Sequence, residues 1–299
     1  MAQTYQFRGL SLDPPGIKGR YSALIHFGLF LSAFYRVDPA SVLSAAIAMR
    51  DLCWPLTSPE ANPALHLAAF LAAAAVDGTD RFLLFNTPSL EGLPYRVGQV
   101  VSVSMCKAGR GLIPMRGRIP GLLATCRQRC VAAIFSMQGD QVAELEEFKK
   151  RLEQYRTPTV LIGLNTPHEL GAELFKWEVA TALACVPLGV NPFSEPDFRE
   201  GRERTAGLVE ALATQHELPR RSVRVREAGI ALYAEGKTRQ EISTLSLTEA
   251  LRTFFELKSP ASYLAILAFV EQSSAVEAAL EHMREQLIFG LGDTGSAWF

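Results

Sequence analysis

The sequence predicts an α/β fold in which a mainly parallel sheet is covered by helices on both faces. Short apolar segments alternate with longer helical patterns along the chain, and each short segment is followed by Gly, Pro, Asn or Ser. The short segments are continuously hydrophobic, which is typical of parallel strands buried on both sides. The predicted strands are residues 8–12, 82–86, 111–115, 132–136 and 160–164.

Helical periodicity fills most of the sequence between these strands. The segment 41–52 follows Asp38 and Pro39, a combination that favours the start of a helix. The segment 169–184 is apolar on more than one face, so we expect it to pack between the sheet and another layer, or between subunits. The predicted helices are residues 21–37, 41–52, 64–76, 140–155 and 169–184.

The composition changes near residues 192–196, and a second α/β alternation begins after a linker at 217–226. This C-terminal part has too little apolar surface to fold well alone. We therefore expect a main domain at residues 1–216 and a small α/β extension packed on it at residues 217–299. The later predicted elements are a helix at 197–215, strands at 229–234 and 263–270, and helices at 246–255 and 274–286.

Composition and charge exclude several classes of protein. The 299-residue chain is 48% hydrophobic and 20% charged, which is typical of a folded globular protein, and its formal net charge is −1. This balance gives no electrostatic basis for binding nucleic acid or an anionic membrane. The longest apolar segments are shorter than the ~18 residues that span a bilayer. One local basic cluster is interpreted as a solvated linker: Arg220, Arg221, Arg224 and Arg226.

Five cysteines without a secretion signal fit a reducing, cytoplasmic location. Cys126 and Cys130 lie one helical turn apart, but no second Cys or His pair completes a four-ligand metal site. Small buried thiols are the preferred interpretation of this pair. The five histidines are far apart, and no phosphate-binding or dinucleotide-binding motif is present. We therefore predict neither a metal nor a cofactor.

The segment PGIKGRYS, at residues 15–22, joins a predicted strand to a predicted helix. Its two glycines allow a tight turn, and the free N–H groups at the start of a helix can bind an anion. Arg20 adds a guanidinium to such a site. These features favour a phosphorylated or anionic ligand, and an ordinary strand–helix turn with a surface arginine is an equally good alternative.

The same segment resembles the GGRYS motif of phosphoglucose isomerases. Asn62-Pro63-Ala64-Leu65 resembles the Asn-Pro segment that opens a buried helix in that family, and residues 99–114 resemble its QLIAESTGKEGKGIVP stretch. The segments GAELFKWEVATALA and GVNPFSEPDFREGR, at residues 171–184 and 189–202, resemble GAEFFRWEFATAVAG and GINPFDQPDVQEAK. The resemblance covers nearly the whole chain and is strongest to the isomerase half of bifunctional transaldolase/phosphoglucose isomerases.

The resemblance implies a sugar isomerase (SIS) domain, which is a flavodoxin-like three-layer sandwich around a mainly parallel five-stranded sheet. It also implies the interconversion of glucose 6-phosphate and fructose 6-phosphate, a step of glycolysis and gluconeogenesis that needs no metal or other cofactor in this family. In the family reaction a carboxylate removes the proton next to the carbonyl, and an arginine stabilises the negative charge that develops. The implied partner is a phosphorylated sugar.

The resemblance assigns roles to particular residues. Arg20 matches the charge-stabilising arginine, and Arg202 aligns with the lysine that closes the INPFDQPDVQEAK motif. Both are therefore expected to be catalytic, although an arginine cannot donate a proton near neutral pH. Four further residues are expected to bind the substrate: Gly19, Ser22, Ser104 and Lys107.

The expected general base is absent, because its glutamate aligns with Val103. Loss of a general base typically costs about 10²–10⁴ in rate. Three other carboxylates are conceivable substitutes: Glu91, Glu173 and Glu178. For the two on the buried helix we prefer ion pairing with Lys176 or Arg20.

Three functional hypotheses remain open. The chain is a phosphosugar isomerase or part of one, a catalytically impaired SIS module that binds a phosphosugar or a partner subunit, or a fragment of a longer enzyme. The family's earlier SIS half, with its Ser/Thr loop, is not found before Phe7. We therefore expect a homodimer, or a partner that carries the missing SIS half.

Overall fold

A computed structural model describes most of the chain, which divides into two units, Met1–Ser194 and Glu195–Phe299. The predicted domains, 1–216 and 217–299, stay predictions. The residues described are 14, 16–17, 19–34, 37–116, 129–143, 145–219, 221–236, 238–242, 246–257, 263–271, 273–290 and 296–298.

The first unit is built on a parallel sheet of four strands. The strands are β1 (Arg81–Asn86), β2 (Ile113–Arg116), β3 (Cys130–Met137) and β4 (Thr159–Leu164). They lie in the order β2-β1-β3-β4, and every neighbouring pair is parallel. The predicted α/β fold with a parallel sheet is thus confirmed. The fifth predicted strand, residues 8–12, lies outside the described residues, so the five-stranded count stays a prediction.

Six helices are described in this unit, and one of them was not predicted. They are α1 (His26–Phe34), α2 (Pro39–Leu52), α3 (Pro63–Val76), α4 (Gly92–Met105), α5 (Leu145–Gln154) and α6 (Leu170–Leu188). The side chain of Asp38 accepts hydrogen bonds from the amides of Ala40 and Ser41 at the start of α2, as the predicted helix start requires. The side chain of Asn62 caps α3 in the same way.

Three helices differ from the sequence predictions. Helix α1 begins at His26 rather than at residue 21, because Gly19–Tyr21 form a separate 3-10 turn. Helix α5 begins at Leu145 rather than at residue 140, since the side chain of Asp140 is bonded to Ser89 instead of opening a helix. Helix α4 was not predicted, because its two glycines and its proline weaken the helical pattern.

Helix α6 lies between the sheet and helix α2, so the expected packing between two layers is confirmed. On the sheet side, the ring of Trp177 lies 6.0 Å from Phe82 of β1 and 5.7 Å from Phe135 of β3. On the other side, Gly171 approaches α2 so closely that a Cβ atom would lie 2.0 Å from the carbonyl oxygen of Val42. This double burial explains why the helix is apolar on more than one face.

The second unit begins with α7 (Pro196–Gln215), followed by an antiparallel hairpin of β5 (Val225–Glu227) and β6 (Ile230–Leu232). Strand β5 occupies part of the predicted linker 217–226. The remaining elements are α8 (Thr238–Glu241), α9 (Leu247–Glu256), β7 (Tyr263–Ala265), α10 (Ser274–Gly290) and β8 (Ser296–Trp298). Among the described residues, no helix combines the length and apolar character needed to cross a bilayer.

Candidate functional site

Arg20 is buried at the place where helices α4 and α6 end, and only 4% of its surface is exposed. Its Nε donates a hydrogen bond to the hydroxyl of Ser104, in the last turn of α4, at 3.0 Å. Its Nη2 donates to the carbonyl oxygen of Pro192 and, at 3.3 Å, to that of Ser194, both just past the end of α6. One guanidinium therefore joins three segments that are far apart in sequence.

Ser104 and Tyr21 are hydrogen-bonded to each other beside this guanidinium. Ser104 is fully buried, and its Oγ lies 2.9 Å from the phenolic oxygen of Tyr21. Burial raises the pKa of Tyr21, and the hydrogen bond with Ser104 offsets only part of that effect. The phenol therefore stays protonated near neutral pH and keeps a donor. The ring of Tyr21 also packs at 5.2 Å against Phe193.

A tight turn orients Arg20 toward the interior. Gly19 has a φ of +58°, in the left-handed region that glycine adopts readily. The amide of Ser22 donates to the carbonyl of Gly19 at 3.2 Å, and the hydroxyl of Ser22 donates to the same oxygen at 2.6 Å. The expected anion site at a helix start is therefore wrong in its geometry. Arg20 lies before α1 rather than at its start, and the amide and hydroxyl of Ser22 are both hydrogen-bonded within the turn.

Two further cations lie on the turn after α4. The ammonium of Lys107 donates to the carbonyl of Asn191, and the guanidinium of Arg110 donates to the carbonyl of Leu188. These carbonyls lie at or just past the C-terminal end of α6, where the helix dipole favours positive charge. The predicted residues Gly19, Arg20, Ser22, Ser104 and Lys107 thus meet in one cluster, which we call the Arg20 cluster.

Two thiols lie beside the Arg20 cluster. The thiol of Cys106 donates to the carbonyl of Leu112 at 3.0 Å, and that of Cys185 donates to the carbonyl of Ser104 at 3.5 Å. Burial raises the pKa of Cys106 to about 12. Burial also raises the pKa of Cys185 to about 11, although Lys107 and Arg20 act in the opposite direction. Both thiols are protonated near neutral pH, so neither is a nucleophile.

Comparison with known proteins agrees with the resemblance seen in the sequence. The chain is 26% identical over 230 residues to a probable glucose-6-phosphate isomerase of Natronomonas pharaonis, and the match covers 66% of this chain and 53% of that protein. The chain therefore spans about half the length of this curated relative. No family model matches the sequence.

Two solved structures share the fold. A hypothetical protein of Thermus thermophilus superposes with a TM-score of 0.60 at 18% identity, covering 70% of this chain and 59% of that one. A glucose-6-phosphate isomerase of Chlamydia trachomatis superposes with a TM-score of 0.53 at 15% identity, covering 71% of this chain and 56% of that one.

The resemblance to the phosphoglucose isomerase family is confirmed. Its narrower form, a SIS domain related to the bifunctional transaldolase/phosphoglucose isomerases, stays a prediction.

The carboxylates considered as substitutes for the phosphoglucose isomerase base are mostly engaged elsewhere. Glu173 accepts a hydrogen bond from Lys176 at 2.6 Å, which confirms the preferred interpretation as an ion pair. Glu178 pairs with Arg96 at 3.1 Å, a partner that the sequence did not suggest. Burial raises the pKa of Glu178, and the charge of Arg96 opposes that rise. Glu91 is exposed just before α4.

The remaining family positions lie on exposed or partly exposed surfaces. Val103, which aligns with the family base, is partly exposed on α4 next to Ser104. Arg202 belongs to α7 of the second unit, with 71% of its side chain exposed and Glu195 at 3.7 Å. Among the described residues, no group of three His, Cys, Asp or Glu side chains is arranged to hold a metal ion. Cys126 lies outside the described residues, whereas Cys130 is buried in β3.

Two residues that contact the Arg20 cluster escaped the sequence reasoning. Tyr21 lies inside the GRYS motif, so the motif itself offered a signal that an aromatic hydroxyl accompanies the arginine. Arg96 gave no signal, because α4 was not predicted and the arginine carries no motif. Its guanidinium donates to the backbone carbonyl of Arg20, which only the folded chain reveals.

Proposed function

We propose that this chain is a glucose-6-phosphate isomerase-like protein that binds a phosphorylated hexose and acts in aldose–ketose isomerisation, alone or as part of a larger enzyme. One observation carries the proposal. Arg20 and Ser104 lie in two separate segments that resemble phosphoglucose isomerases, and their side chains are hydrogen-bonded although 84 positions separate them. Two family segments thus converge on one buried contact.

In the proposed reaction Arg20 stabilises the negative charge that develops on the sugar oxygen as the adjacent proton is removed. A buried guanidinium is suited to this because it is fixed before the reaction and stays charged. Lys107 supplies a second positive charge for the anionic substrate, and Gly19, Ser22 and Ser104 are proposed to bind the substrate with it, as the family motifs imply. Gly19 and Ser22 also form the turn that precedes α1. Arg202 is proposed to keep the positive charge of the family lysine.

The wider proposal follows the family. The chain would act on the phosphosugar without a metal or other cofactor, in the cytoplasm, within glycolysis and gluconeogenesis. It would form a homodimer or join a partner that carries the other SIS half. Its fold would be a flavodoxin-like SIS domain over residues 1–216 with an extension over 217–299.

A coupled assay for the conversion of fructose 6-phosphate to glucose 6-phosphate tests the activity, with Arg20→Gln measured in parallel. We expect turnover that the substitution reduces by about 10²-fold or more, the loss typical of a removed charge-stabilising donor. Arg151→Gln on α5 is a matched control, because that arginine pairs at the surface with Glu147. Turnover that survives in Arg20→Gln would contradict the assigned role.

A second candidate function is favoured by Val103. With valine at the position of the family base and Glu173 and Glu178 in ion pairs, the chain would bind a phosphosugar without isomerising it. Binding would then appear as a rise in Tm with 6-phosphogluconate, in the absence of turnover. A chain that shows neither turnover nor this rise in Tm would overturn both candidates.

Restoring the carboxylate separates the two candidates further. If only the base is missing, Val103→Glu should create or increase turnover, whereas Val103→Gln, which has the same size without the charge, should not. An equal response of the two variants would show that the valine is not the limiting feature. Turnover in the unmodified chain at a rate typical of isomerases would reject the second candidate outright.

A further inference from the structure

Arg20 is held at its backbone as well as at its guanidinium. The Nη2 of Arg96, in the second turn of α4, donates to the carbonyl oxygen of Arg20. The same Nη2 donates to Oε1 of Glu178 on α6 at 3.1 Å. A single nitrogen therefore connects the peptide of Arg20 to both helices that frame the cluster.

Glu178 also restrains the chain just beyond Arg20. The backbone amide of Ala23, three residues further along, also favours the ionised carboxylate and opposes the rise in its pKa. The Arg96–Glu178 pair is shielded from water, with only 21% and 13% of the two side chains exposed. Ion pairs of low exposure are screened weakly by salt and hold their geometry better than surface pairs do.

The peptide of Arg20 controls where its side chain points. The preceding Gly19 has a positive φ and offers no steric resistance to rotation of this peptide. The turn around Gly19 and Ser22 fixes one side of the segment, and Arg96 and Glu178 fix the other. If the second restraint were lost, only the turn and the contacts of Arg20 with Ser104 and Pro192 would hold the segment.

We propose that Arg96 and Glu178 are positioning residues that hold residues 20–23 so that the guanidinium of Arg20 is aimed at its site. The proposal rests on the proposed role of Arg20, and it assigns neither residue a contact with the substrate. We call the Arg96–Glu178 pair the clamp. It acts on the carbonyl of Arg20 and the amide of Ala23, whereas the guanidinium of Arg20 contacts Ser104 and Pro192. Its loss should therefore loosen one short segment and weaken ligand binding without removing any charge from the Arg20 cluster.

Glu178→Gln and Glu173→Gln form a matched pair for testing the clamp in the full-length chain. Both glutamates lie on α6, both are mostly buried, and both accept a hydrogen bond from a cation, but Glu173 pairs with Lys176 on its own helix. In Glu178→Gln we expect hydrogen exchange of the amides of residues 20–23 to accelerate by about tenfold. In Glu173→Gln we expect exchange there to stay within about twofold of the unmodified chain.

A second pair of variants keeps the test open if Glu178→Gln fails to fold. Arg96→Lys retains an ammonium that can donate to both partners, whereas Arg96→Met keeps the length of the side chain without a donor. We expect the affinity for 6-phosphogluconate to fall about tenfold in Arg96→Met and to recover largely in Arg96→Lys. If Arg96 only stabilised the fold, Arg96→Lys and Arg96→Met would not differ in affinity when their Tm values are equal.

The outcomes separate the clamp from the proposed function. Faster exchange at residues 20–23 in Glu178→Gln but not in Glu173→Gln supports the clamp, even if 6-phosphogluconate binds to no form of the chain and the proposed function fails. Equal exchange in these two variants overturns the clamp, even if the unmodified chain is an active isomerase. Equal loss of affinity in Arg96→Lys and Arg96→Met would likewise overturn it.

Discussion

Glu178 and Asp140 are two carboxylates of the first unit that tie separate segments together, and their surroundings differ. Glu178 is largely buried between α4 and α6, and burial raises its pKa although Arg96 is adjacent. Asp140 follows β3 and accepts hydrogen bonds from the amide and the hydroxyl of Ser89, at 3.1 and 2.7 Å. Hydrogen bonds from Thr87 and Ser89 lower the pKa of Asp140.

The two carboxylates lie near different candidate sites. The strand order indicates the carboxyl edge of the sheet, near Asp140, whereas the segments that resemble phosphoglucose isomerases indicate the place where α4 and α6 end. The strand order reverses between β1 and β3, and ligands of doubly wound folds usually bind beyond the carboxyl ends of strands at such a point. Here the donors of Ser89 at that edge are occupied by Asp140. The segments that resemble phosphoglucose isomerases meet instead where α4 and α6 end, at Arg20. The local contacts therefore favour the Arg20 cluster as the functional end.

The largest effect is expected from Arg20→Ala. The change removes one donor from the partly buried carbonyl of Pro192 and one from the buried hydroxyl of Ser104, which keeps its contact with Tyr21, and each such loss costs about 1–3 kcal/mol. We expect the free energy of unfolding to fall by about 2–4 kcal/mol in urea titrations, together with any stabilisation by 6-phosphogluconate. If Asp140→Ala reduced that stabilisation more than Arg20→Ala did, the carboxyl edge would be the functional end.

Glu178→Gln tests the buried side of the comparison through pH. Because the pKa of Glu178 in the folded chain lies above its ordinary value of 4.5, the folded state takes up a proton at a higher pH than the unfolded chain. The unmodified chain should therefore gain stability relative to Glu178→Gln as pH falls through the folded pKa toward 4.5. Tm measured on both proteins between neutral pH and that value checks the sign. If the Tm of the unmodified chain fell relative to that of Glu178→Gln as pH decreased, burial would not be the dominant influence on the pKa of Glu178.

Asp140→Asn should show the opposite sign and a smaller effect. Because the pKa of Asp140 is lowered from 3.8, its contribution to stability is present above that value and is lost as pH falls through the folded pKa. The advantage of the unmodified chain over Asp140→Asn should thus disappear in acid, whereas its difference from Glu178→Gln grows there. Asp51→Asn, at an exposed site on α2, is the control. Parallel pH profiles for Asp140→Asn and Glu178→Gln would remove the distinction between the two carboxylates.

The sequence predicted the sheet well because its signal is local. Strands β1, β3 and β4 are short apolar runs. Asp38 and Asn62, which cap α2 and α3, mark where these helices begin. The Arg20 cluster was predicted only through the resemblance, since a long stretch of chain separates Arg20 from Ser104 and Lys107. Arg96 and Glu178 could not be paired from the sequence, because their contact depends on how α4 and α6 pack.

The smallest effect is expected from Arg202→Gln, the catalytic prediction that falls in the second unit. With 71% of its side chain exposed and its partner Glu195 at 3.7 Å, this arginine makes a surface contact that is typically worth less than about 1 kcal/mol. We expect Tm to stay within about 2 °C of the unmodified chain, so that any loss of turnover reflects the chemistry rather than folding. Arg204→Gln, one of whose partners is Glu200 on the same helix, is the matched control. Equal turnover in both variants would remove Arg202 from the proposed site and leave Arg20 as its only assigned catalytic arginine.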